Sequence, residues 1–137
     1  MMSERCEICG CRVHRSGDYA TPTVEGRSHA TRHHYVAERF FGRSRTRRGT
    51  QRPALFRKCP WGLERETAVF CYECHEELMH NVVFLPEDIK KLAELVRLRR
   101  LSENGKTEDR KKVAKRIELL HQVVAAGLDR LLEMAKG

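Results

Sequence analysis

The sequence predicts an α+β protein: a small domain over residues 1–85, followed by a helical hairpin over residues 86–137. Two observations support the first part. Cysteine pairs of the form C-x2-C stand near both of its ends, and short strand-like segments lie between them. The third observation supports the second part, where apolar residues recur every three or four positions after Pro86, as on one face of a helix.

Composition narrows the classes of partner. The chain has 137 residues and a net charge of +8, a balance that favours polyanions such as nucleic acid. Its N-terminus lacks the apolar stretch of a signal peptide, and no apolar run approaches membrane-spanning length. We therefore expect a cytoplasmic protein with no membrane partner. In that reducing compartment its six cysteines indicate metal binding rather than disulfides.

The two cysteine pairs define the N-terminal domain. Cys6 and Cys9 form the first pair, and Cys71 and Cys74 form the second. Together they can supply four thiolates to one tetrahedral Zn²⁺. A domain with so few large aliphatic side chains buries little surface, so a structural zinc is expected to hold it together. Two cysteines stay unassigned: Cys11, which could replace a neighbouring ligand, and Cys59, which could simply be buried.

Between the pairs, the chain reads as a loop and then a strand-like piece that ends in residues 32–36. A second strand is expected at 67–70 and a short helix at 75–82. The stretch 39–58 carries eight basic residues and no acid. Arginine forks bind phosphates bidentately, so we expect this stretch to contact nucleic-acid backbone, although it could instead be a solvated loop. The candidate nucleic-acid-binding residues are Arg39, Arg43, Arg45, Arg47, Arg48 and Arg52.

The helical extension begins at Pro86, where proline and two acids suit a helix N-terminus. Asn104-Gly105 is a stop signal, and a second helix is expected from about Glu108 to Lys136. Such a hairpin can pack on itself, on the preceding domain, or on a second copy as a homodimer. Direct contact with DNA is the alternative.

The ordered combination of these motifs resembles the HNH endonuclease family over about residues 6–84. C-x2-C is followed by Thr31-Arg32-His33-His34, then by Cys71-x2-Cys74-His75, and then by His80. The resemblance implies a ββα-metal domain, in which a β-hairpin and a helix surround one catalytic divalent metal such as Mg²⁺ or Mn²⁺. Many members carry a four-cysteine zinc site beside it.

The resemblance also implies roles for four histidines. His34 takes the place of the general base, and His33, His75 and His80 take the places of metal ligands. The family helix spaces its histidines four residues apart, whereas His80 follows His75 by five. On an ideal α-helix that spacing separates the two by about 140°. The asparagine of the family name would fall near Glu66 or Thr67, and neither residue is asparagine.

These observations favour a metal-dependent endonuclease or nickase that hydrolyses phosphodiester bonds in DNA. The alternative is a zinc-knuckle module that binds nucleic acid without cutting it. A second alternative is an interaction protein, in which zinc holds the fold and the helical hairpin is a docking surface. The sequence leaves open the strand number of the substrate, its recognition site and the identity of the catalytic metal.

Overall fold

A computed structural model describes residues 4–15, 23–24, 27–42, 48–49, 54–103 and 110–137. The chain divides into two compact units. Unit 1 comprises residues 1–52 and 58–83, and unit 2 comprises residues 53–57 and 84–137. Strands lie in unit 1 and the α-helices in unit 2, so the chain is a small α+β protein.

Strand β3 organises unit 1. The strands are β1 (Val13–His14), β2 (Thr23–Val24), β3 (Arg27–His34) and β4 (Thr67–Cys71). Strand β3 pairs with each of the other three, in parallel with β1 and antiparallel with β2 and β4. In the longest ladder, Ala30 is opposite Cys71 and His34 is opposite Thr67. This register places the end of β3, which carries His33 and His34, beside β4, which leads to the second cysteine pair.

The core of unit 1 lies between these strands and the cysteine pairs. Phe70 and Ala68 are buried on β4, while Ala30 is buried on β3. Alternation along a strand places Phe70 and Ala68 on one face and Cys71 on the other. The buried cluster consists of Cys6, Val13, Ala30, Ala68, Phe70, Cys71 and Cys74. Three of its seven members belong to the cysteine pairs, so the converging cysteines form part of the core.

A π-helix follows β4 directly and spans Glu73–Met79. The sequence predicted a short helix over 75–82; a helix is present there, but both of its ends were wrong. The π-helix starts two residues earlier, and residues 81–85 have no regular structure. The amide of Asn81 caps the end by donating to the carbonyls of Glu77 and Glu76, at 2.9 and 3.4 Å. Wide helices of this kind recur at functional sites.

A short 3₁₀-helix, Glu38–Phe41, follows β3. It ends at Gly42, which has a φ of 74° and so takes the left-handed conformation that glycine adopts without steric cost. Arg39 lies within this helix. Arg48 is exposed, while Arg43, Arg45, Arg47 and Arg52 of the predicted phosphate-binding stretch lie outside the described residues.

Unit 2 contains helices α1 (Pro86–Leu98) and α2 (Arg110–Lys136). The Asp88 carboxylate accepts a hydrogen bond from the backbone N–H of Leu85 at 2.9 Å, which closes the start of α1. After α1 the chain runs antiparallel to α2: Ser102 and Leu101 accept hydrogen bonds from Lys112 and Arg116, and Arg99 donates to Gln122. Leu119, Ala114 and Phe56 are buried in this unit.

The C-terminal half of α2 carries an exposed apolar stripe that includes Val124, Leu128 and Leu131. The sequence expected this face to pack or dimerise, and that expectation stays a prediction. In the described part of the chain no helix combines the length and the apolar character needed to cross a bilayer.

Candidate metal and catalytic site

The two cysteine pairs converge. The sulfur atoms of Cys6, Cys9, Cys71 and Cys74 all lie within 4.8 Å of one another. The Sγ atoms of Cys9 and Cys71 are 3.8 Å apart. Three of the four residues are buried and Cys9 is exposed. Four thiolates at such separations could hold a metal ion such as zinc.

Local backbone geometry aims the thiols at this centre. The N–H of Ile8 donates to Cys6 Sγ at 3.4 Å, and the N–H of Cys74 donates to Cys71 Sγ at 3.3 Å. The first pair closes through a hydrogen bond from the N–H of Gly10 to the carbonyl of Cys6, at 2.9 Å. Gly10 has a φ of 81°, which a side chain would strain. The turns therefore present their sulfurs together and donate to them, as bound thiolates require.

The electrostatics of the cluster favour thiolate at one position and thiol at others. Burial acts to raise the pKa of Cys6, but backbone donors at Cys9, Cys71 and Ile8 outweigh it and lower that pKa to about 6. Burial and neighbouring sulfurs raise the pKa of Cys74, and burial raises that of Cys71. To hold all four sulfurs as thiolates side by side, the cluster would therefore need a cation between them.

The two unassigned cysteines differ in position. Cys11 packs against the buried cluster, and burial followed by the thiols of Cys9 and Cys71 raises its pKa to about 12. Cys59 lies outside the cluster and donates from Sγ to the carbonyl of Gly62, at 2.8 Å. Neither belongs to the set of four converging ligands.

Glu7, between the first two cysteines, fastens their turn to the sheet. Its N–H donates to the carbonyl of Val69 at 3.0 Å, and its carboxylate accepts from the N–H of Val69 at 2.7 Å. The other carboxylate oxygen lies 3.4 Å from the hydroxyl of Tyr35, the residue after His34. Sequence reasoning missed this role, because it depends on the proximity of the turn to β4.

Besides the cysteine cluster, unit 1 has a cavity lined by the histidines at the end of β3 and those that follow the second cysteine pair. Its volume is about 490 Å³. The residues that line it are Arg32, His33, His34, Tyr35, Ala37, Glu38, Arg39, Phe40, His75, Met79 and His80. All four histidines singled out from the sequence therefore face one space, together with two arginines.

The π-helix resolves the spacing of the second histidine pair. The rings of His75 and His80 lie 4.7 Å apart between centroids, edge to face. An α-helix would separate residues five apart, whereas a π-helix, with its i→i+5 hydrogen bonds, stacks them on one side. His75 also meets His33, whose ring centroid is 5.3 Å away. His33 is held by stacking on Phe70 at 5.2 Å.

Two carboxylates contact the imidazoles that line this cavity, and Glu38 also lines the cavity itself. Glu38 Oε1 lies 3.4 Å from His34 Nε2. Glu76 reaches two rings: its Oε1 lies 3.1 Å from Nδ1 of His75, and its Oε2 lies 3.3 Å from Nδ1 of His80. Sequence reasoning missed both acids. The available signal was the four-residue spacing that joins His34 to Glu38 and Glu76 to His80.

The imidazole rings are adjacent, but their nitrogen atoms do not converge on one point as the cysteine sulfurs do. In the described part of the chain, only the four cysteines bring all their ligand atoms within 4.8 Å of one another. Burial, followed by the neighbouring imidazoles of His75, His80 and His34 and by Arg39, lowers the pKa of His33. His33 is therefore neutral at pH 7, the form in which an imidazole binds a metal.

The remaining histidines lie elsewhere. His14 and His29 form an edge-to-face pair 5.2 Å apart on β1 and β3, and His121 lies on α2. No protein-family description, curated protein or solved structure matches the chain. The function is therefore argued from the site itself.

Proposed function

We propose that this chain is a metal-dependent endonuclease or nickase of the HNH, ββα-metal type, which hydrolyses phosphodiester bonds in DNA. One observation carries the proposal: the end of β3 and the π-helix place His33, His34, His75 and His80 around one cavity that arginines also line. The antiparallel pair β3–β4, followed by a helix that carries histidine, supports the ββα-metal part of the proposal.

The residues present fit a divalent metal at this position. His33, His75 and His80 offer imidazole nitrogens as ligands, and two of their rings are braced by a carboxylate, as metal-binding histidines usually are. When bound there, a divalent metal such as Mg²⁺ or Mn²⁺ supplies Lewis acidity to the phosphate and the leaving oxygen. The fourth histidine, His34, is then left for acid–base chemistry.

His34 acts as the general base. Its Nε2 faces the Glu38 carboxylate, which favours a proton on Nε2 and a lone pair on Nδ1. Nδ1 accepts a proton from water as the water oxygen bonds to phosphorus, and the bond from phosphorus to the leaving oxygen breaks. The leaving oxygen takes a proton from solvent water and His34 returns its proton to solvent, so the products are a phosphomonoester and an alcohol. His33 lies on the other face of the strand end, so the two adjacent imidazoles divide the roles of ligand and base.

Positive charge around the cavity suits a polyanionic substrate. Arg32 and Arg39 line it, and Arg39 also lies over the ring of Phe40, with the guanidinium carbon 5.4 Å from the centroid. Arginine can bind a phosphate through two parallel hydrogen bonds. These side chains, with the basic stretch that follows, would hold the DNA backbone against the histidines.

We further propose that the four-cysteine cluster holds structural Zn²⁺. Zinc takes four thiolates in a closed tetrahedron, whereas a catalytic zinc keeps one position open for water. The buried sulfurs and the backbone donors that surround them favour the closed form.

One observation favours the alternative of a nucleic-acid-binding module without catalysis: the imidazole nitrogens do not converge as the thiols do. A plasmid-nicking assay with Mg²⁺ or Mn²⁺ separates the two. We expect the wild-type chain to convert supercoiled plasmid to nicked circles and His34→Ala to lose at least about 100-fold in rate, the usual contribution of a positioned base. His121→Ala, on α2, is the matched control. Equal wild-type and His34→Ala rates would overturn the assignment of the base, and DNA binding without nicking would establish the alternative.

A further inference from the structure

The carboxylate of Glu76 contacts His75, within the π-helix, and His80, the C-cap residue of that helix, at equivalent atoms. One oxygen lies 3.1 Å from Nδ1 of His75, and the other lies 3.3 Å from Nδ1 of His80. A single side chain thus bridges two rings that are themselves 4.7 Å apart. The side chains of His75 and Glu76 are 16% and 32% exposed, whereas that of His80 is 51% exposed, so water competes more strongly for the His80 contact than for the His75 contact.

This bridge depends on the form of the helix. Glu76 is adjacent to His75 in sequence and four residues before His80. In the π-helix the two histidines lie on the same side, and the intervening acid can reach both. In a regular α-helix His80 would point about 140° away from His75, and one carboxylate could not serve the two rings.

The chemistry of imidazole gives this bridge a consequence. A neutral ring carries one N–H and one lone pair, and the hydrogen bond at one nitrogen decides where the lone pair lies. An ionised carboxylate only accepts, so it requires an N–H from each ring. A neutral ring that donates to Glu76 through Nδ1 therefore keeps its lone pair on Nε2. Nδ1 of His75 lies at hydrogen-bond distance, 3.1 Å, and Nδ1 of His80 lies at contact distance, 3.3 Å.

We propose that Glu76 is a positioning residue that sets His75 and His80 in the same Nδ1–H tautomer and so prepares their Nε2 atoms as metal ligands. The role as metal ligands rests on the proposed nuclease function, whereas the choice of tautomer does not. Carboxylate partners of this kind orient metal-binding histidines and raise their basicity.

The chain offers a matched control. Glu77 is the next residue of the same helix, is exposed, and has the same charge. Replacing it removes one negative charge from the π-helix while leaving the bridge in place. Glu76→Gln is the sharper variant, because an amide accepts through its oxygen but donates through its nitrogen. It can keep one ring in the Nδ1–H form but must drive the other to Nε2–H.

The experiment measures the tautomers directly. Long-range ¹H–¹⁵N correlation spectra of the histidine rings are recorded on the full chain carrying its cysteine-bound metal, with no further metal added. We expect the Nδ1–H form for His75 and His80 in the wild type and in Glu77→Gln. In Glu76→Gln one ring changes to Nε2–H, and in Glu76→Ala both lose their fixed form. Unchanged tautomers in Glu76→Ala, or Nε2–H rings in the wild type, would overturn the proposal.

A Mn²⁺ titration of the same samples, monitored by calorimetry, tests whether His75 and His80 act as metal ligands. We expect Glu76→Ala to weaken Mn²⁺ binding roughly 10–100-fold and Glu77→Gln to leave it nearly unchanged. If the tautomers shift as expected but the Mn²⁺ affinity does not change, the claim that Glu76 prepares His75 and His80 as metal ligands is overturned. If the tautomers and the affinity both respond while the wild type fails to nick plasmid, the nuclease proposal fails and the role of Glu76 stands.

Discussion

Removal of the cysteine-bound metal should unfold unit 1. The apolar core there is small: among the described residues, the buried large aliphatic or aromatic side chains of the unit are Val13, Val36 and Phe70. At about 1.5–3 kcal/mol for each fully buried side chain, they contribute roughly 5–9 kcal/mol together. Structural zinc contributes on the order of 10–16 kcal/mol in small zinc-binding peptides. Zinc held by the four cysteines, as proposed, would therefore contribute more than the apolar burial around it.

The test compares two cysteine-to-serine substitutions. Cys74→Ser removes a ligand from the cluster while nearly keeping the volume of the side chain. Cys59→Ser is the control, because its hydroxyl can replace the hydrogen bond from Sγ to Gly62. We expect Cys74→Ser and strong chelation of the wild type to abolish the dispersed amide signals of β3 and β4. Cys59→Ser should retain them.

One result would refute this reasoning. If the wild-type chain after chelation is metal-free by elemental analysis and still shows protected amides at the β3–β4 ladder, the core does not depend on the metal. The comparison must be made at fixed free metal concentration, because a ligand that binds only the native state shifts the apparent stability with its concentration.

Two further predictions concern pH and salt. Zinc affinity should fall as pH decreases, because protons compete for the sulfurs of Cys71 and Cys74, whose pKa values are raised. Below about pH 6 the Cys6 thiolate also takes up a proton, so the decline in affinity should steepen. Competition with a chromophoric chelator measures the affinity. A pH-independent affinity would contradict the thiolate ligation. Replacing Arg48 together with its neighbours at 45 and 47 by alanine should reduce the slope of log affinity for duplex DNA against log salt by up to about 2.7, at about 0.9 per phosphate contact. Lys90→Ala, on exposed α1, should leave that slope unchanged, and an unchanged slope in the triple variant would argue against backbone contact.

The parts of the structure that the sequence predicted well are those fixed by spacing. Each C-x2-C pair forces two sulfurs onto one turn, and two such turns in a small domain have few ways to avoid each other. The helical periodicity after Pro86 likewise predicted α1 and α2, because a 3.6-residue repeat is a property of the local chain. The ends of β3 and β4 fell within two residues of the expected positions.

The parts that the sequence could not predict depend on contacts between distant segments. The π-helix has no distinct sequence pattern, so His75 and His80 could not be placed on one side of it in advance. Glu7 acquires its partners only because the first turn lies against β4, more than sixty residues later in the chain. Intrinsic propensity describes a segment by itself, whereas tertiary contacts chose these geometries.

The hydrogen bonds of Glu7 also have a consequence for how the site could be switched off. The same residue that separates two ligand cysteines bonds to β4 and reaches Tyr35, the neighbour of His34. Oxidation of one of the four clustered cysteines would disturb this turn and, with it, the contact of Glu7 with Tyr35. Because the cysteine pairs form part of the core of unit 1, the same event would destabilise the β3–β4 ladder, so the histidine site and the fold would be lost together.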